Sequence, residues 1–374
     1  VVTAVEAAQN PEVAMEFGIG VSTHIGNWDV IRYVEELGFD RAWVGDSQMI
    51  WSDCYATMAL AAANTRRIKI GTGVAIAGTR LAPVTAHSIA SINQIAPGRV
   101  FLGIGTGHTA MRVMGQDPMR TSEFREYLRV VRALLDGKAV DYEYRGKTRE
   151  IKFLHLDRHF INLEQRIPIY TAANGPKALE ATGAYADGWI TVGGQPQVAK
   201  DKLAKIRYGA ERTGRKLPAD FHTAYITTGC VLRPGEKLTD DRVIEETGSW
   251  VMCELHFFYE IWKDLGEKDE LIPPHFANVW EDYLKRVRNF SLPESARFRQ
   301  IHEGHLVYMQ PEERRFVTPE AIRAGCLIGR PEEIAEQIRA TEKAGMRETV
   351  LWPPMDRERK VYRDFAEMVF PLLK

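Results

Sequence analysis

Short apolar runs alternate along this chain with stretches whose apolar residues recur every three to four positions. The first run, 17–22, has the composition of a buried strand. Val30, Ile31, Val34 and Leu37 then fall at helical spacing, which predicts a helix over 27–37 with Asn27 as its N-cap and Gly38 ending it. The same alternation continues with strands at 41–45 and 68–74, from Val100, and at 167–171, 189–192, 223–231 and 349–352. Helices are expected over 57–64, 82–95, 121–135 and 177–185.

Strands that alternate with helices imply parallel pairing through crossovers. Eight such units favour a closed (β/α)8 TIM barrel, of α/β class, over an open doubly wound sheet. Two segments break the rhythm. Within 140–166, Tyr142, Tyr144, Ile151 and Phe153 alternate around Arg145 and Gly146, which predicts a β-hairpin insertion after the fourth strand. About 115 residues separate the seventh and eighth strands, more than a crossover needs. They include an aromatic stretch over 250–262 and a helical pattern over 276–290, so 233–325 is expected to form a helical insertion over the barrel mouth. No Gly/Ser linker divides the chain, and 1–374 is expected to be one domain.

Composition changes this picture little. At 374 residues, with 45% hydrophobic and 26% charged residues and a net charge of −1, the chain has no basic or acidic run that would mark a nucleic-acid or membrane-surface partner. No apolar segment approaches the roughly 20 residues that cross a bilayer. Residues 1–15 carry Glu6 and Glu12 and no apolar core, which is unlike a secretory signal. Cys54, Cys230, Cys253 and Cys326 are far apart, with no CxxC or Cys/His pair at metal spacing, so a reducing cytoplasm is the expectation. His302 and His305 lie three apart with Gly304 between them, unlike the spacing of a helical zinc motif, and no metal site is expected.

Barrel enzymes place their chemistry where strands end and loops begin. The ends here offer Ser22, Thr23 and His24; Asp46 and Ser47; Gly73 and Val74; Thr106, Gly107 and His108; Ala172, Ala173, Asn174 and Gly175; Val192 and Gly193. Most are small or uncharged. Paired carboxylates and a nucleophile elbow are both missing, so a bulky organic cofactor that carries the chemistry itself suits this rim. The fourth strand ends in alternate glycines, Gly103, Gly105 and Gly107, which mark a close approach. The group approached is a flat cofactor ring on this reading; a tight strand-to-helix turn with no ligand is the alternative. Asn174-Gly175-Pro176 opens a helix whose free amides suit a phosphate; a capped helix start with no ligand is the alternative. His108 and His24 are candidate proton donors or substrate contacts, and Asp46 is a candidate for orienting a polar substrate group.

Four segments together resemble the bacterial luciferase-like superfamily of flavin monooxygenases and deazaflavin (F420) dependent reductases and dehydrogenases, including methylenetetrahydromethanopterin reductase-like proteins. They are residues 38–46; 70–74 with Pro83 and Thr85; 98–107; and 172–180 with Asp187 and Gly188. The stretch 329–335 with Gly345 resembles the family's last helix and strand. The resemblance implies a ring lying across Gly73, Val74, Thr106, Gly107 and Ala172, with a phosphate near Ala173, Asn174, Gly175, Pro176, Val192 and Gly193. It also implies a cis Gly73–Val74 peptide. Deazaflavin sugar-phosphate dehydrogenases have a histidine, a glutamate and a lysine where this chain has Ser47, His108 and Gln195, so sugar-phosphate oxidation is not expected.

The leading expectation is a reduced-FMN and oxygen monooxygenase acting on a small organic substrate, supplied by a separate flavin reductase and with His108, His24 and Asp46 as its catalytic residues. F420-dependent hydride transfer is the alternative, and a non-catalytic flavin-binding barrel a second one. The resemblance further implies a homodimer or higher homo-oligomer, pairing through 57–64 and 82–95.

Overall fold

The computed structural model describes residues 15–192 and 196–373, with the side chains of 196 and 197 left out. Eight parallel strands form the barrel: β1 Glu16–Val21, β2 Arg41–Val44, β3 Lys69–Thr72, β4 Val100–Gly105, β5 Ile169–Ala172, β6 Gly188–Val192, β7 His222–Val231 and β8 Glu348–Leu351. Each pairs with its sequence neighbour, and β8 returns to β1 with Glu16 opposite Glu348 and Ile19 opposite Leu351, which closes the sheet. Closure leaves no exposed sheet edge among these eight strands.

Helices pack around this wall through a shell of Val, Ile, Leu, Ala and Phe side chains, among them Val30, Val34, Phe39, Ile89, Phe124 and Leu128. Two boundaries differ from the periodicity. The first helix is Asp29–Glu36, preceded by a 3-10 turn Ile25–Asn27, and Asn27 does not cap it. Its amide instead donates to Glu358 (2.7 Å) and accepts from Arg359 (3.1 Å), tying the start of the chain to its last helices. The second helix starts earlier than its apolar spacing suggests, at Cys54, because Asp53 accepts from the Ala56 amide.

Inside the barrel, polar groups fill the N-terminal end and aromatic ones the middle. Arg41 donates to Glu16 (2.6 Å), Trp43 Nε1 donates to Glu348 (2.8 Å), and His222 Nε2 lies 2.5 Å from the other Glu348 oxygen. Glu16, His222 and Glu348 are close enough to share a metal ion, but Arg41, Trp43 and Lys69 already take up their oxygens. The cluster is an ion network closing the barrel floor. Above it Trp43, Phe101 and Tyr170 pack together, Trp43 edge-on to Phe101 with ring centres 4.6 Å apart.

The hairpin is Val140–Tyr144 against Lys147–Ile151, turning at Arg145 and Gly146. The late insertion is helical, as the aromatic stretch implies. Its main helix, Asp241–Asp264, packs with Ala277–Arg288 around Trp250, Trp262, Phe276, Trp280 and Tyr283. One element was not legible: a short parallel strand, Cys326–Gly329, pairs with the outer half of β7, Thr228 facing Cys326. The insertion therefore ends by extending the sheet beyond the barrel.

Candidate active site

Glycines face the barrel interior where the strands finish, and each has a specific occupant. A Cβ at Gly20 would fall 2.1 Å from the Trp352 ring, and one at Gly45 2.5 Å from Trp51. Those two indoles lie 5.8 Å apart, nearly parallel, and Trp352 Nε1 donates to Ser22 Oγ (3.0 Å), which itself donates to the Leu306 carbonyl (3.1 Å). The insertion is thus seated on the ends of β7, β8, β1 and β2. Residues at the other half of the rim keep exposed surface: Val74, Thr106, His108 and Ala172 are partly exposed, and Asn174, Gly175, Pro176 and Val192 are exposed.

The alternate glycines of β4 meet the protein's own chain. A Cβ on Gly103 would lie 2.1 Å from the Thr72 carbonyl oxygen, and one on Gly105 would touch Val74 (3.2 Å) and Ala172 (3.3 Å). Gly107, at φ +78°, fits against Ile76 and Met111. A bulge over 73–76 accordingly presses into β4, and Ala75–Ile76 pairs with Ile104 and Gly105. The close approach marked by the glycines is this bulge, so a ring would rest on Val74 rather than on the glycine backbone. The Gly73–Val74 peptide is cis, as the resemblance implies.

Asp46 holds the bulge in place. Its carboxylate accepts from the Ile76 amide (3.1 Å), Arg80 Nη1 (2.5 Å) and Gln48 Nε2 (2.6 Å), and only 3% of the residue is exposed. Those partners occupy the carboxylate, so its function in the fold is positional. Arg80, which pattern reading passed over, donates the ion pair, and the carboxylate holds the guanidinium pKa above its ordinary value despite burial.

At the phosphate end, Gly175 is the N-cap of Pro176–Tyr185, with open space where a Cβ would stand. Ala173 is buried and its carbonyl accepts from Trp189 Nε1 (2.8 Å). Asn174 Oδ1 accepts from Lys202 Nζ (2.8 Å), which is also 3.3 Å from Thr191 Oγ1. Lys202 supplies a cation at this corner, and burial pulls its pKa below the ordinary lysine value. Its helix, Pro196–Glu211, follows β6, so the only sequence signal was a lysine beyond the expected place. Gly193 and Gln195 lie outside the described residues.

The two candidate histidines diverge. His24 is exposed on the turn after β1, its ring folded toward Gly26. His108 enters a polar cluster that the insertion completes. Its Nδ1 is 3.1 Å from Glu260 Oε2, its ring lies 5.1 Å from that of Phe257, and its side chain is 26% exposed. Arg112 approaches the same carboxylate oxygen (3.7 Å) and pairs with Asp264. His302 does not pair with His305 in a metal site: its Nε2 lies 2.8 Å from Glu260 Oε1, while His305 Nδ1 faces Cys253 Sγ at 3.7 Å. Glu260, Arg112, Trp51, Lys202 and Arg80 are the residues missed. Glu260 and Arg112 sit on helices rather than strand ends, where barrel rhythm gives no cue.

A cavity of about 730 Å³ lined by Leu232, Leu238, Arg323, Glu333 and Gln337 lies beside Cys326–Gly329 and touches none of these strand-end residues. The rim formed by Val74, Thr106, Ala172 and Gly175, with Lys202 at its edge, suits a flat ring bearing an anionic tail: an apolar floor leads to free helix-start amides and a cation.

The family model for luciferase-like monooxygenases matches residues 19–348. A 5,10-methylenetetrahydromethanopterin reductase from Archaeoglobus fulgidus is 26% identical over 353 residues, 92% of this chain and 96% of that protein. A reductase of the same name from Methanolobus tindarius is 35% identical over 49% of this chain and 55% of its own length. An F420-dependent glucose-6-phosphate dehydrogenase from Kineococcus radiotolerans is 34% identical over 50% of this chain and 58% of its own length. With these last two, the chain shares only about half the relative's length. The coenzyme F420 dependent tetrahydromethanopterin reductase of Methanopyrus kandleri has the same fold, with a TM-score of 0.70, 20% identity, and coverage of 97% of this chain and 100% of that one.

Proposed function

The chain belongs to the luciferase-like monooxygenase family, and from that premise we propose that it is an F420-dependent oxidoreductase moving a hydride to or from a small organic substrate. One observation carries this reading: the relatives are named for reduction and dehydrogenation, one of them for F420 itself, and none of the three for oxygenation. They support the alternative expected from the sequence better than the reduced-FMN monooxygenase placed first there.

When bound, the deazaflavin would supply the carbon that gives or takes the hydride. Val74 and Ala172 would support the ring, and Thr106 would border it. The amides from Gly175 onward, with Lys202, would hold the anionic tail. The insertion, seated by Trp51, Trp352 and Leu306, shields one side from water, which strengthens electrostatic contacts at the reacting centre. His108 turns Nδ1 toward Glu260, leaving Nε2 to take up or deliver the substrate proton. Glucose 6-phosphate is not the proposed substrate, because Ser47, His108 and Gln195 stand where the resemblance puts a histidine, a glutamate and a lysine in the sugar-phosphate enzymes.

The test is fluorescence titration of the pure protein with F420 and with FMN, followed by substrate screening with and without oxygen. Saturable F420 binding and oxygen-independent turnover are expected. Tight FMN binding with oxygen consumption, and no F420 binding, would restore the monooxygenase reading. Binding of neither would favour the non-catalytic barrel.

A further inference from the structure

Among the described residues, Asp46 is the carboxylate at the expected strand ends, and its hydrogen bonds leave it no freedom to govern proton chemistry. Another carboxylate is delivered from elsewhere. On the helix Asp241–Asp264, Cys253, Phe257, Glu260 and Asp264 recur at spacings of four, three and four, so they share a face. Each meets a group outside its helix: Cys253 meets His305, Phe257 the His108 ring, Glu260 both His108 and His302, and Asp264 Arg112.

We propose that Glu260 is a positioning residue that fixes His108 in the tautomer with its proton on Nδ1, in a His108–Glu260–His302 arrangement completed only when the insertion folds over the barrel. It rests on the reading above in assigning the reacting proton to His108. Glu260 is 6% exposed and His302 5% exposed, so neither is a solvated surface group. The carboxylate bridges the two rings, Oε2 to His108 Nδ1 at 3.1 Å and Oε1 to His302 Nε2 at 2.8 Å. The first approach lies off the N–H axis, so Oε2 and Nδ1 have short separation but no well-aligned partner.

Electrostatics agree with a fixed anion. Burial opposes ionisation of Glu260, yet the adjacent His108 and the bond from His302 outweigh it and hold its pKa well below the carboxylate range. Burial also lowers the pKa of His302, against the opposing pull of the Glu260 carboxylate. Arg112 is a cation facing Oε2, and it is shared with Asp264. A buried ionic cluster is a poor way to stabilise an insertion, because apolar side chains of similar volume do as well or better. A carboxylate behind one imidazole nitrogen is, by contrast, the standard means of presenting the other nitrogen to a reacting proton. In the proton step, substrate O–H or N–H gives its proton to Nε2 in one direction and recovers it in the other. The Nδ1 proton stays beside Glu260, and no electrons move within the cluster.

Long-range proton–nitrogen NMR of the cofactor-free protein reads the His108 tautomer directly. Wild type is expected to hold the proton on Nδ1, E260Q to weaken that preference, and E260A to lose it. With F420 and a substrate, E260Q should lower kcat by about 100-fold or more with KM within about threefold. A double variant, E260Q with H108Q, should be no slower than H108Q alone, since the two act as a unit. H302Q, which leaves Glu260 and His108 in place, should give an intermediate loss. An unchanged tautomer in E260A overturns the proposal whatever the cofactor proves to be, and so does an additive double variant. An Nδ1 tautomer that depends on Glu260 in a protein that fails to bind F420 would refute the functional reading and leave this one standing.

Discussion

Replacing Gly103 by alanine tests whether the glycine run of β4 exists to admit the bulge that carries Val74. The new Cβ would sit 2.1 Å from the Thr72 carbonyl oxygen, where ordinary contact begins near 3.4 Å, so 3.4 − 2.1 or about 1.3 Å of displacement is required. The obstacle is backbone, flanked by Trp43 at 3.0 Å and Val74 at 3.2 Å, and cannot rotate away. Two effects compete. Gly→Ala reduces unfolded-chain entropy and stabilises by about 0.4–1 kcal/mol where the geometry permits. Overpacking a filled site costs on the order of 1–3 kcal/mol. The steric term wins, and the melting temperature of the cofactor-free protein should fall by roughly 1–3 °C, since unfolding entropy scales with chain length. Gly175→Ala is the contrast: nothing lies within 4 Å of its Cβ, so stability should change by less than about 1 kcal/mol, the range for an N-cap exchange, while F420 affinity falls. Differential scanning calorimetry of both variants decides the point. A Gly103→Ala protein that melts with wild type would show that the run does not serve the bulge.

Lys202→Met should weaken F420 binding about tenfold, with a shallower salt dependence, as loss of one partly buried cation beside the helix start implies; fluorescence titration at two ionic strengths measures it. Stability should also depend on acid through the barrel floor. Burial works against ionisation of Glu16, but Arg41, His222 and Lys69 hold its pKa at about 2, below its ordinary value of 4.5. Its contribution is therefore present above pH 4.5 and is lost as pH falls from there toward 2. Urea midpoints should fall across that window, and Glu16→Gln should remove part of the fall; an identical pH profile in the variant would contradict the assignment.

Much of the barrel was legible because its strands are buried on both faces and its helices on one, so burial writes its periodicity into the chain locally. The hairpin was legible for the same reason, through its alternation about Arg145 and Gly146. The strand Cys326–Gly329 was not, because four residues beside a helix have no period of their own. The site divides similarly. Strand ends can be counted along a barrel sequence, which leads to His108, Val74 and Asn174. What those ends do depends on what comes to meet them. Asp46 has the composition of a substrate contact and is a clamp on the bulge.

By itself the sequence determined the closed parallel sheet, the places where loops leave it, and a rim poor in reactive side chains. Tertiary structure alone decided which groups those places bring together. Glu260 reaches His108 across 152 positions of chain, and Lys202 reaches Asn174 across 28. Periodicity reports whether a residue faces solvent or core, a one-body property set by its own neighbours along the chain. A hydrogen bond or ion pair is a two-body property of the folded chain, and no local pattern encodes the second partner.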